Sequence, residues 1–239
     1  MTILADIFRF GQLELPAAVT ELPPPEALPQ WGDYLTNRIM LAVAALLVLM
    51  NLRDFLRIFP YLIKSVTRPR WHTHIEHNMS MSTDRNRIAL VLAIPFCLIA
   101  DRFGLYTPSF ASYVPVQFRV AVPAAALFLY MLLRSLMFAL FKPRRFSQEM
   151  EGVLHNIVLD FFINLNLLIL VSIPVLVLAG LPETTLQIVL YAEIGLYYLL
   201  TVLHVTQILG SLCAPFPTIL YLCALELIPT GILIYSSIR

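Results

Sequence analysis

The sequence has little charge and little glycine. Charged residues make up only 13% of its 239 residues while apolar residues make up 59%, so charge is too scarce to cover a soluble domain of this size. This excludes a soluble enzyme and predicts an integral membrane protein. The chain also lacks the serine-hydrolase, zinc-protease, phosphate-loop and dinucleotide-binding motifs. We therefore expect a protein that is not an enzyme, and the open alternative is an intramembrane enzyme that acts on a lipid through Asp160, Glu193 or Glu226.

Cysteine is also scarce. Cys97, Cys213 and Cys223 form neither an even disulfide set nor a pair with metal-ligand spacing, and all three lie in or beside apolar runs. We expect them to be small core residues. The first sixteen residues lack the basic leader and cleavage site of a signal peptide, so the N-terminus is expected to stay on the protein.

Long runs of apolar residues dominate the sequence. The pattern predicts an all-α fold, an integral membrane helical bundle of about six transmembrane helices. Residues 1–33 are expected to form an extracytoplasmic, acidic, Pro-rich tail, and residues 34–239 a single transmembrane domain. The predicted spans are about 34–52, 87–106, 118–141, 153–180, 184–209 and 217–238.

The segment after the first span is amphipathic. Arg53, Arg57 and Lys64 share one face of a helix, and bulky apolar residues fill the other sides. This pattern predicts a helix that either lies at the membrane interface or prolongs the first span.

Lysine and arginine are unevenly distributed among the loops. The 53–87 loop holds seven of them, the 102–119 loop two and the 134–152 segment four. The positive-inside rule therefore places the first and third loops in the cytoplasm and both termini outside. The distribution of charge in this chain indicates its membrane topology, and no nucleic-acid partner is expected.

Several ionisable residues fall inside the predicted spans, where they are costly and often functional. Asn156, Asp160 and Asn164 recur on one face of the fourth span. The fifth span carries a second polar stripe, made by Glu193, Tyr197, His204 and Gln207.

Glu226 lies near the middle of the sixth span. Pro229 removes a backbone donor and is predicted to break the helix there, with Thr230 beside it. We expect Glu226 to be buried, with Asp160, Tyr197 or His204 as its partner. The intramembrane polar cluster of Asp160, Asn164, Glu193, Tyr197, His204 and Glu226 is then either a hydrogen-bonded packing cluster or a proton, cation or ligand site. In a packing cluster, Glu226→Gln should be tolerated.

Two weaker hypotheses concern histidine. His155 and His204 lie at similar depth on adjacent antiparallel spans, as an axial bis-histidine haem would require. In the polar loop after the first span, His72, His74 and His77 could hold a metal ion, since imidazole is a good zinc ligand.

The terminal segment PTILYLCALELIPTGILIY, residues 217–235, carries a family resemblance. Its core YLCALELIP, with RSLMFALFKPRRF and INLNLLILVSIPVLVLAG upstream, resembles a bacterial multi-pass membrane family catalogued as domain of unknown function 4271, over about residues 118–239. The resemblance implies an inner-membrane protein of a Gram-negative cell without an established activity, and it matches Glu226 and Pro229 to the terminal motif.

Together these patterns favour a non-enzymatic membrane subunit or assembly factor. Its expected partners are the lipid bilayer and either other membrane proteins or further copies of the chain. The alternatives are a small transporter or proton-coupled channel that uses the intramembrane cluster, and a cytochrome b-like haem protein.

Overall fold

The computed structural model describes residues 31–67, 79–141, 148–212 and 222–238, and within these ranges the fold is entirely helical, without strands. The α-helices of these ranges, in chain order, are α1 (Leu35–Met50), α2 (Leu52–Thr67), α3 (Met79–Arg102), α4 (Ala121–Phe141), α5 (Gln148–Leu178), α6 (Glu183–Leu212) and α7 (Ile228–Ile238). A π turn, Cys223–Leu227, leads directly into α7. The predicted all-α class is confirmed.

Three helical segments are long and apolar enough to cross a membrane, namely Val116–Met137, Asn156–Leu178 and Glu183–Gly210. The pair α1 and α2 counts as a fourth only if the two bent helices are taken as one span. Helix α3 is not among these candidates: its apolar stretch between Arg87 and Asp101 has thirteen residues, about 20 Å at 1.5 Å per residue. Among the described residues, three or four helices are thus long and apolar enough to span a membrane, and the predicted six spans are not confirmed.

Helix α2 is a separate helix and not a straight extension of the first span. The chain bends by 70° between α1 and α2, at Asn51. Ile58 and Leu62 are fully buried, whereas Leu56 and Ile63 are 60% and 48% exposed. Of the two sequence-based alternatives, the bend therefore excludes a simple prolongation of the span.

Helix α3 lies at the centre of the bundle, where it packs against α1, α2, α4 and α5. It begins at Met79, earlier than the predicted 87, because the polar residues at its start also face other helices. Ile88 and Leu92 join Ile58 and Ile163 in one apolar cluster, and Leu98 packs in a second cluster with residues of α1 and α4.

One end of the bundle is held together by polar contacts. Trp31 Nε1 donates a 2.6 Å hydrogen bond to Asp101 Oδ2, and Arg102 forms an ion pair with Glu183. At the same end, the hydroxyls of Tyr106 and Ser236 are 2.8 Å apart. The start of α1, the end of α3, the start of α6 and the end of α7 therefore lie together.

The outer surface of the bundle is apolar. Large aliphatic side chains are more than half exposed on α1, α4, α5 and α6, including Leu46, Leu129, Val175 and Leu199. A soluble monomer rarely shows apolar surface over so many elements. The exposed surface is compatible with a protein that sits in a membrane.

Candidate functional site

The first buried ion pair joins α4 to the π turn before α7. Arg134 Nη2 lies 3.0 Å from Glu226 Oε1, and the two side chains are 4% and 1% exposed. The Tyr198 hydroxyl of α6 donates to the backbone carbonyl of Glu226 at 3.2 Å. Three helices therefore meet at this carboxylate.

A π turn lies directly before Pro229. Proline has no N–H to donate, so one intrahelical hydrogen bond is missing at this position. Ile228 N–H bonds to the carbonyl of Cys223, five residues back, and the chain stays helical to Ile238. The irregularity near Pro229 is therefore a widened turn within a helical segment. Such turns recur at functional sites.

The second buried ion pair joins α3 to α5. Arg85 Nε lies 3.8 Å from Asp160 Oδ1, and both side chains are 1% exposed. Arg85 Nη2 also donates to Ser82 Oγ and Asn86 Oδ1, each at 3.1 Å. The charge of Arg85 is thus held by several groups in the centre of the bundle.

Asn164 extends this connection to α2. Its Nδ2 donates to the Leu62 carbonyl of α2 at 3.1 Å and to the Asp160 carbonyl of its own helix at 2.9 Å. The polar face predicted for the fourth span therefore contacts two helices: Asp160 faces α3 and Asn164 faces α2.

The second predicted stripe splits up along α6. The rings of Tyr197 and His204 both pack edge-on against Phe161 of α5, with centroids 6.4 and 5.1 Å from it. Gln207 is exposed. Glu226 is paired with Arg134, where Asp160, Tyr197 or His204 was expected.

Glu193 stands apart from the two ion pairs. Its Oε2 accepts a 3.2 Å hydrogen bond from Ser172 Oγ of α5, and its side chain is partly exposed. Among the residues that the structure describes, no lysine, arginine or histidine lies within ion-pair distance of it.

The haem and metal hypotheses stay predictions. His204 Nδ1 lies 3.0 Å from the Leu200 carbonyl, which can only accept, so Nδ1 carries the proton and Nε2 would be the nitrogen for a ligand. The His155 side chain and all of His72, His74 and His77 lie outside the described part of the chain. Within the described part, no three His, Cys, Asp or Glu side chains form a group that could hold a metal ion.

Sequence reasoning missed Arg85 and Arg134 because both lie near the ends of apolar runs, where it counted them as loop charges. Without these two arginines, the 53–87 loop holds six lysines and arginines and the 134–152 segment holds three, against two in the 102–119 loop. The excess of positive charge therefore stays on the same side of the membrane. The signal for Arg134 was available, since it lies inside the apolar run 118–141. The rule that singled out Glu226 applies to it equally.

The two ion pairs hold their charged groups in buried positions and do not expose them to a ligand. An arginine keeps its proton at any pH that a cell experiences, so a carboxylate paired to it braces two helices and is a poor relay for protons. Glu193 is the carboxylate within the candidate spans for which the described residues supply no arginine partner.

In comparisons with known proteins, no protein-family model, no curated protein and no solved structure matches the chain.

Proposed function

We propose that the protein is a multi-pass inner-membrane protein that serves as a non-enzymatic subunit or assembly factor of a membrane complex. One observation carries the proposal: the two deeply buried carboxylates, Asp160 and Glu226, are each paired to an arginine of a different helix. The charge of each carboxylate thus serves to hold two helical segments together.

The proposed topology has six crossings, made by α1, α3, α4, α5, α6 and the π turn with α7, while α2 lies at the cytoplasmic interface. The contacts of Trp31 with Asp101 and of Tyr106 with Ser236 support an even number of crossings, because they put both ends of the described chain at one end of the bundle. The lysine and arginine bias makes that end extracytoplasmic.

Thiol labelling tests this topology. In a variant whose three native cysteines are replaced by alanine, we expect Tyr113→Cys to react with a membrane-impermeant maleimide in intact cells, because Tyr113 is 89% exposed in the segment between α3 and α4. Thr83→Cys, at the opposite end of α3, should react only after the membrane is opened. Labelling of Thr83→Cys in intact cells, or protection of Tyr113→Cys, would contradict the topology.

Affinity purification in mild detergent, followed by mass spectrometry, tests the functional proposal. We expect at least one other membrane protein to co-purify in stoichiometric amount and to stay bound through a sizing column. A chain that isolates alone, and whose proteoliposomes conduct protons or a solute until Glu193→Gln abolishes the flux without a loss of thermal stability, would replace the subunit by a transporter.

A further inference from the structure

Glu193 is held differently from the other two intramembrane carboxylates. Asp160 and Glu226 have arginine partners and are 1% exposed, whereas Glu193 is partly exposed and accepts one described hydrogen bond, from the neutral hydroxyl of Ser172. In the described ranges no cation is near enough to balance it. Its charge is therefore left for a partner that the described residues do not supply.

Depth makes this charge costly. Glu193 lies in the candidate span Glu183–Gly210, about ten residues from its start and hence roughly 15 Å along the helix. This is close to the middle of a hydrocarbon core about 30 Å thick. A carboxylate at that depth has to be paired or neutralised, and intramembrane charges usually pair with one another.

The surface beside Glu193 is apolar and exposed on both helices. On α6, the exposed neighbour of Glu193 is Ala192, a small residue at the same depth. On the α5 side, Val171 and Val175 flank Ser172 and are 64% and 58% exposed. A small residue at the contact favours close approach of a transmembrane helix.

The depth of Glu193 in the membrane also limits which cation can pair with it. The amines of lipid headgroups stay at the interface, about 15 Å away, so a cation at the depth of Glu193 has to come from a protein. A second copy is a poor source, because the arginines at membrane depth among the described residues, Arg85 and Arg134, are buried in ion pairs of their own. The complementary surface is a helix with one lysine or arginine near its midpoint.

We propose that the face formed by α5 and α6 at Glu193 is the docking surface for a transmembrane helix of another protein, and that this helix carries one basic residue at mid-depth. The inference rests on the proposed function as a membrane subunit and names the chemistry of its partner. Glu193 supplies the charge that selects the partner, Ser172 orients the carboxylate, and the small side chain of Ala192 lets the partner helix approach.

The test uses a synthetic helix of about 21 leucine and alanine residues with one lysine at its midpoint, and the same peptide with leucine there. The full chain, carrying a donor fluorophore at Tyr113→Cys, is reconstituted into phosphatidylcholine vesicles, and energy transfer to acceptor-labelled peptide is measured. A midpoint lysine lies at the same depth in either orientation of the peptide. We expect the lysine peptide to associate about tenfold more tightly than the leucine peptide.

Three variants locate the effect. Glu193→Gln keeps the shape and should remove the preference for lysine, whereas Glu183→Gln, at the exposed start of the same helix, should keep it. In Glu193→Gln/Ile188→Glu the carboxylate moves to a different exposed side of α6, and the preference should not return. The Glu193→Gln protein must keep its thermal stability, so that loss of binding is not loss of fold.

Three results would overturn the docking proposal: equal association of the two peptides with the unaltered protein, a preference for lysine that survives Glu193→Gln, or energy transfer between copies of the chain that depends on Glu193. The last would make a second copy the occupant. Stoichiometric co-purification of a membrane protein together with any of these results would leave the subunit proposal standing and remove only the docking surface.

Discussion

Replacing Glu226 by leucine should lower the thermal stability of the purified protein by about 10 °C, corresponding to roughly 3–5 kcal/mol for a buried pair that loses one partner. Arg134→Leu should do the same. The reason is that either change leaves the other charge buried at 4% exposure or less without its counter-ion. Differential scanning fluorimetry in detergent measures the effect. Glu226→Gln, tolerable in a neutral packing cluster, should also destabilise here, because a glutamine does not neutralise Arg134.

The double variant Arg134→Leu/Glu226→Leu is the decisive control. Removal of both charges should restore most of the lost stability, since two apolar side chains in place of a buried ion pair are often neutral or stabilising. Ser135→Ala, a change at the exposed neighbour of Arg134, should have almost no effect. A double variant that is as unstable as the sum of the two single variants would show that Arg134 and Glu226 do not interact.

Asp160→Leu should be the second large loss. It leaves Arg85 buried at 1% exposure against α5, and a cost of about 3–5 kcal/mol is expected. Arg85→Met should cost a similar amount. In a double-mutant cycle, the coupling energy between the two sites should be about 1–3 kcal/mol. Chemical or thermal unfolding of the four proteins in one detergent gives this number.

Arg87→Gln is the matched control for Arg85. It lies two residues further along α3 and forms an ion pair of 3.4 Å with Asp54, but its side chain is 57% exposed. An exposed pair contributes about 0–1 kcal/mol, so little change is expected. If Arg87→Gln cost as much as Arg85→Met, burial would not be what makes the Arg85 pair important.

The sequence by itself determined the class of fold and most of the helix positions. Hydropathy along the chain reports whether each stretch prefers lipid or water, and this is a local property. The predicted spans 153–180 and 184–209 accordingly fall on α5 and α6 with small shifts at their ends. The cost of a charge at membrane depth also indicated that Asp160 and Glu226 have to face protein, and both are 1% exposed.

Only the tertiary structure decided which groups meet. Periodicity gives the side of its own helix on which a residue lies, but the neighbour on that side depends on how the other helices tilt and bend. The 70° bend at Asn51 brings the Leu62 carbonyl to Asn164, and the π turn at Cys223–Leu227 accompanies the pairing of Glu226 with Arg134. Neither is visible in a pattern of single residues.

The same reason separates Glu193 from His204. The two share a face of α6, but eleven residues of helix place them about 16 Å apart along its axis. Over that distance the neighbouring surface of α5 changes from Ser172 to Phe161. The sequence determined that these side chains share a face of α6. The packing of two long helices decided that this face meets α5, and that one side chain contacts a hydroxyl and the other an aromatic ring.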